Sequence, residues 1–310
     1  MDFGGSFDDS IFGETRSRES TPLKSYNAKI CVPEWFLTAD PSDEVDEINL
    51  EKYKADYYFC QGDFETSLRH FRKCFDIVPQ NNMSMRRDIS ESIVRCSLHL
   101  GQLDEAVQVS ESMYLDAQNF EQKTNTLRLL VEIYQARNDG TAEALALERS
   151  IILHPMHVDL WFALAKAYMK IDKQENINWK NTESNDESKS NDESKSKPFF
   201  RDHDKQHYMS TCCVRVLGLL DYCKRMGRTF ALEKLKRQKE NVTEIMDDLH
   251  IQQEFIDCCS AVVCVDLGSS QENAIPNDQV QTKPEQIISF ADEDLHQHFV
   301  DLWISWKKKP

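Results

Sequence analysis

The run His203-Asp204-Lys205-Gln206-His207 has the spacing that sets two imidazoles on one face of a helix, and Cys212 and Cys213 follow closely. Such a group could hold a zinc ion. The zinc-peptidase pattern needs a glutamate after the first histidine, however, and Asp204 is one methylene shorter, so histidines of a polar surface are the simpler reading. Ten cysteines include no Cys-x-x-Cys pair, the spacing by which most structural zinc sites bring two thiolates to one ion. There is also no phosphate loop, dinucleotide glycine fingerprint or nucleophile elbow. The chain therefore reads as non-enzymatic, with no metal and no cofactor.

The other chemistry open to these residues is recognition. Lys52 and Asp56, Glu91 and Arg95, and Arg128 and Glu132 are opposite charges four apart, and Phe162 and Lys166 share that interval. Taken singly, each charged pair is ordinary intrahelical pairing worth roughly 0.2–0.5 kcal/mol. Along one wall they would make a charge-patterned groove for an extended or helical peptide, with Phe162 as an apolar anchor. Phe3, Phe7 and Phe12, with Ile11, are spaced like one face of a helix, and Asp8 and Asp9 lie between them. They suit a docking motif for a partner's groove or for the chain's own concave surface. The alternative is a polar tail with incidental aromatics.

The elements that would position the groove come from a repeated pattern. Ala55, Tyr58, Gly62, Asp63, Phe64, Ser67, Phe71, Cys74 and Pro79 read as helix, turn, helix, stop. Ala55 and Ser67 are small where two helices must approach, Gly62 turns the chain, and Pro79 ends the unit. The grammar returns around Gly101 with Ile93, Val94, Leu103, Ala106 and Met113, and again around 138–140 with Leu130, Val131, Tyr134, Ala144, Leu147, Ile151 and Pro155. Trp161, Leu164, Ala165 and Tyr168 open a fourth unit. A period of about 34 to 39 residues fits tetratricopeptide helix pairs, which must stack to bury their apolar faces. An irregular helical bundle is the competing account. The expected fold is thus an all-α, tetratricopeptide-like helical-repeat solenoid with a helical C-terminal extension.

Composition divides the chain of 310 residues further. Residues 1–24 are a polar tail holding the aromatic motif, and 25–47 a capping segment in which Trp35 and Phe36 cover the first pair. Residues 48–171 hold the repeats. Residues 172–198 form a polar linker with a tandem SNDESK, where the second helix of the fourth unit is missing. Residues 199–310 form the helical extension. The formal net charge of −16 disfavours non-specific binding to nucleic acid or anionic membrane. The basic stretch 224–239, read as one helix, keeps a nucleic-acid-associated regulator as the alternative function, behind which stands a metal-binding enzyme. No signal peptide or apolar span is legible, which points to a protein of the cytoplasm or nucleus, with thiols such as Cys60, Cys74 and Cys96 at core positions.

Ala28-Lys29-Ile30-Cys31, Pro33, Trp35-Phe36, Lys54-Ala55-Asp56, Met85-Arg86-Arg87-Asp88, Arg95-Cys96, His99-Leu100-Gly101, Glu105-Ala106 and Phe230-Ala231-Leu232-Glu233 together resemble the vertebrate chromosome 8 open reading frame 76 family. The resemblance covers most of the chain outside the linker. It implies a tetratricopeptide-type helical protein of uncharacterized activity and carries over no catalytic residue. Tetratricopeptide co-chaperones are a wider comparison: they clamp a terminal carboxylate with lysines, asparagines and an arginine, at positions that correspond here to Lys52, Asp56, Ser92, Asn125 and Leu129. Only Lys52 agrees. Asp56 would repel the carboxylate that an asparagine amide would bind, so the expected ligand is a protein partner other than a chaperone tail.

Overall fold

The computed structural model of the protein describes residues 33–183, 205–226, 232–268 and 292–305. The tail 1–24 with Phe3, Phe7 and Phe12, as well as His203 and Gly227, lies outside the described residues. Within them the secondary structure is helical: α1 (Glu44–Gln61), α2 (Phe64–Ile77), α3 (Met83–His99), α4 (Leu103–Leu115), α5 (Phe120–Arg137), α6 (Gly140–Leu153), α7 (Val158–Glu183), α8 (Lys205–Arg225), α9 (Leu232–Asp248), α10 (Gln253–Val263) and α11 (Asp292–Phe299). From α1 to α9 each helix packs chiefly on its neighbours in the chain.

Five helix starts are written locally. Asp43, Asp63, Asn82, Asn119 and Asp139 accept from the backbone N–H three residues on, capping α1, α2, α3, α5 and α6, and satisfy donors that a helix N-terminus otherwise leaves orphaned. Gly62 takes the left-handed turn at φ 80°. In the third pair that conformation falls on Asn138 at φ 60°. Gly140 instead opens α6, where an added Cβ would stand 3.1 Å from Ile171.

Packing then fixes the pairs. Ala55 and Ser67 are fully buried at the α1–α2 crossing, and the Ser67 hydroxyl donates to the Ala55 carbonyl at 2.9 Å. Arg86 donates to the Phe75 and Val78 carbonyls at 3.1 and 2.9 Å, and Arg87 to the Met113 and Gln122 carbonyls at 3.1 and 2.9 Å. Adjacent arginines thus fasten α3 to the pairs on either side. Before α1, Trp35 and Phe36 pack on Tyr53 and Tyr57, with ring centroids 6.2 and 5.7 Å apart. Cys74 and Cys96 are buried, whereas Cys60 and Cys258 are exposed, each off the buried stripe of its helix.

The C-terminal half departs from the sequence reading in two places. First, α7 continues through Glu183 into the expected linker, and a partner helix does follow it. It is α8, which packs along α7 with Tyr168 edge-on to Tyr208 at 5.3 Å and Asp172 3.3 Å from Lys205. The polar insertion delays this helix in sequence without removing the apolar face of α7 that requires it. Second, 224–239 is not one basic helix: Lys224 and Arg225 finish α8, and α9 starts afresh at Leu232. It runs back along α8, with Lys239 3.1 Å from Asp221 and Gln206 donating to the Leu249 carbonyl. The last segment packs back on the preceding helices: α11 and the π-helical turn Val300–Ile304 lie along α6 and α8, where Phe299 and Trp303 meet Trp161 with centroids 5.8 and 5.1 Å apart.

One buried cation ties this half together. Arg215 on α8, with no exposed surface, donates to Asp266 Oδ2 at 2.7 Å and to the Val263 carbonyl at 2.6 Å, and lies 4.8 Å over the Trp303 ring. At the other end Glu51, 5% exposed, pairs with His70 Nδ1 at 2.7 Å and Lys73 Nζ at 3.0 Å. Burial alone would raise the Glu51 pKa, but the bonds from His70 and Lys73 hold it below the ordinary value.

Two outcomes follow. Arg215→Ala strands Asp266 and lowers unfolding free energy in urea by about 3–5 kcal/mol, while Arg215→Met with Asp266→Leu recovers most of it. Because the Glu51 pKa is depressed in the folded state, its contribution is present above the unfolded value of 4.5 and lost as pH falls through the lower folded value. The urea midpoint of the wild type therefore drops at acid pH more steeply than that of Glu51→Gln.

Candidate functional site

The first helices α1, α3, α5 and α7 carry the residues singled out for recognition, and the contacts among these residues lie within single helices, while Lys52 also reaches across to α3. Lys52, half-buried, lies 3.3 Å from Asp56 on its own helix and 3.2 Å from Asp88 on α3. Burial alone would lower the Lys52 pKa, yet Asp56 and Asp88 raise it above the ordinary ammonium value. Glu91 and Arg95 pair within α3, Arg95 Nη2 donating at 2.6 Å. Arg128 and Glu132 are exposed on α5; among the described residues no ion pair links them. Phe162 is half-buried, and the Lys166 ammonium lies 4.1 Å over its ring. The expected apolar anchor is therefore a ring with a cation on one face.

Asp88 and Asp159 were not read as wall residues. Asp159, at the start of α7, accepts from Lys234 of α9 at 3.0 Å and from Gln238. Burial alone would raise its pKa, and these bonds hold it below the usual carboxylate value. A signal was available: Asn49, Asp88, Asn125 and Asp159 each stand three residues before Lys52, Glu91, Arg128 and Phe162. One register thus supplies both positions, an acid or amide followed by a charge or ring.

The histidine pair resolves differently. His207 is buried on α8, its Nε2 2.9 Å from the Ile304 carbonyl. A carbonyl only accepts, so this nitrogen carries the proton and has no lone pair for a metal. Phe255 stands edge-on to the same ring, centroids 5.6 Å apart. Among the described residues no group of three or more His, Cys, Asp or Glu is placed to hold a metal ion, and no helix is long and apolar enough to cross a membrane. The stretch 224–239 also has charges already engaged, Lys234 with Asp159 and Lys239 with Asp221.

Comparison with known proteins gives relatives without assigned chemistry. The model of a family of unknown function, DUF5588, matches residues 1–212. A Rattus norvegicus protein described as uncharacterized protein C8orf76 homolog is 32% identical over 167 residues, 54% of this chain and 45% of the relative. The Homo sapiens uncharacterized protein C8orf76 is 32% identical over 170 residues, with the same shares. The resemblance read from the sequence is thereby supported, over about half of this chain and under half of each relative, a smaller share than the residues suggested. No solved structure matches the chain.

His207→Ala removes the hydrogen bond to the Ile304 carbonyl and so loosens the C-terminal segment. Thermal unfolding shifts down by the equivalent of about 1–2 kcal/mol, and zinc titration of wild type and variant by calorimetry gives the same heats; zinc uptake by the wild type that the variant lacks contradicts this assignment.

Proposed function

The chain belongs to this family of unknown function, DUF5588, and from that premise we propose that it is a tetratricopeptide-like adaptor. In this reading its first helices form the concave wall of a solenoid that holds a partner peptide or helix. The observation that carries it is Lys52, which pairs with Asp56 within α1 and joins α1 to α3 through Asp88, so aligning these two first helices with their charges in register. Sequential packing of helix pairs at about the tetratricopeptide period supports the solenoid. The wall offers Asp56, Asp88, Arg95, Arg128, Glu132 and Lys166 as exposed charges of both signs, which favours a partner of mixed charge.

The same geometry argues against other ligands. Lys52, the lysine a carboxylate clamp would need, already faces two carboxylates, and these repel a chaperone tail. The lysines of α9 that pair with Asp159 and Asp221 have less charge to offer phosphates, and a protein partner fits better than nucleic acid. The proposed role needs no catalytic group and no cofactor, and places the protein inside the cell, in cytoplasm or nucleus.

Proximity labelling in cells tests the wall. With Arg95→Glu and Arg128→Glu together, helicity by circular dichroism stays as in the wild type and the proteins labelled by the wild type fall about ten-fold, the equivalent of roughly 1.4 kcal/mol. An unchanged set of labelled proteins moves the binding surface elsewhere.

A further inference from the structure

Two clefts run between second helices. In the one between α6 and α8 the C-terminal segment is seated: Leu295, Phe299, Trp303 and Ile304 are at most 6% exposed. Phe299 and Trp303 press on Trp161 of α7. His296 Nδ1 lies 2.6 Å from Glu148 of α6, which also accepts from the Tyr168 hydroxyl of α7 at 2.7 Å. One pair earlier, between α4 and α6 with α5 as the floor, lies a cavity of about 320 Å3. Its plan is the same. The Tyr134 hydroxyl of α5 donates to Glu111 of α4 at 3.3 Å, Leu130 and Leu145 supply apolar wall, and Arg149 stands at the edge. Leu115 on its rim is 78% exposed, the most exposed of the large apolar side chains described.

The chain carries a second segment with the spacing that fills the first cleft. Leu295, Phe299 and Trp303-Ile304 are apolar at i, i+4, i+8 and i+9; Phe3, Phe7 and Ile11-Phe12 repeat those intervals, and Asp9 falls where Asp301 does. At 3.6 residues per turn the first three of these positions share one face, and the fourth stands about 100° beyond the third. Gly4 stands where His296 does, so the histidine contact has no counterpart. Asp8 and Asp9 instead complement Arg149 at the edge of the α4–α6 cavity. Residues 13–32 can span about 70 Å when extended, several times the ~10 Å between packed helices. The segment and the cavity both fall within residues 1–212, which the family model matches.

We propose that residues 3–12 of this chain dock in the cleft between α4 and α6, as the C-terminal segment docks between α6 and α8. Phe7 and Ile11-Phe12 enter the apolar wall of Leu115, Leu130 and Leu145, and the chain's two ends clasp adjacent stations of the second-helix row. This occupant is internal, and its site is not the first-helix wall.

The test is photocrosslinking in the full chain, with p-benzoylphenylalanine in place of Phe7 and the products mapped by mass spectrometry. Crosslinks within one chain to α4 and α6, near Leu115 and Leu145, are expected. Leu115→Glu, at an exposed position, leaves the circular dichroism spectrum unchanged and lowers the crosslink yield about ten-fold, because a leucine that no longer buries loses its apolar contribution. Crosslinks to the first helices, to a second copy or to another protein, no crosslink at all, or a yield indifferent to Leu115→Glu each overturn the proposal.

Discussion

Two helices can approach only as closely as the residues at their crossing allow, and the stack depends on keeping those residues small. Ala55 faces Ser67, Val94 lies near Ala106, and Ala144 and Ala165 continue the series, all buried. At typical packing distances of about 8–10 Å, an added side chain at such crossings would force helices apart and disturb the next pair as well. The constraint reaches α8, where a Cβ at Gly218 would stand 2.5 Å from the Cys264 sulfur. Buried hydrophobic clusters between successive pairs then supply the cohesion, and the largest cluster extends from α6 to the C-terminal turn.

Close stacking separates two surfaces with different chemistry. The first helices α1 and α3 meet through Lys52 and Asp88, and α7 meets α9 through Asp159 and Lys234, contacts that hold neighbours in register at little net energy because they remain near solvent. The second helices α6 and α8 are bridged by the apolar C-terminal segment, whose Phe299 and Trp303 also reach Trp161 of α7. Buried ions appear where chain segments distant in sequence converge. Arg215 binds Asp266 and the Pro155 carbonyl at 3.3 Å, so that α8, the turn after α10 and the start of α7 share one cation. Its removal leaves charge without compensation, which makes it a specifier of this arrangement more than a source of affinity.

Legibility in the sequence followed the range of the interactions. Helix starts at Asp43, Asp63 and Asp139, and the left-handed turn at Gly62, are set by neighbours in the chain, so spacing alone reveals them. The partner of α7 lay beyond a polar insertion, and no local pattern links Tyr168 to Tyr208. Among the candidate groove residues, pairing within a helix was legible and contact between helices was not. Positions four apart located Glu91 and Arg95 correctly as a pair, whereas the contact of Lys52 with Asp88 depends on how neighbouring first helices are offset. Arg86 and Arg87 were legible only as charges; their bonds to carbonyls of α2, α4 and α5 come from the loops they reach across. His203 and His207 suggested a metal by spacing, while the contact that occupies His207, the Ile304 carbonyl, is distant in sequence.

Carbodiimide crosslinking tests most directly whether first helices stand side by side as a continuous wall. The reagent joins an amine to a carboxylate only when they are in contact, and Lys52–Asp88, at 3.2 Å, spans the first helices α1 and α3, while Lys234–Asp159, at 3.0 Å, spans α7 and α9, the helix after the last pair. In the full chain both isopeptide bonds are predicted, identified by tandem mass spectrometry of the digest. Recovery of Lys52 joined to carboxylates of distant helices, with neither spanning bond present, would contradict the account.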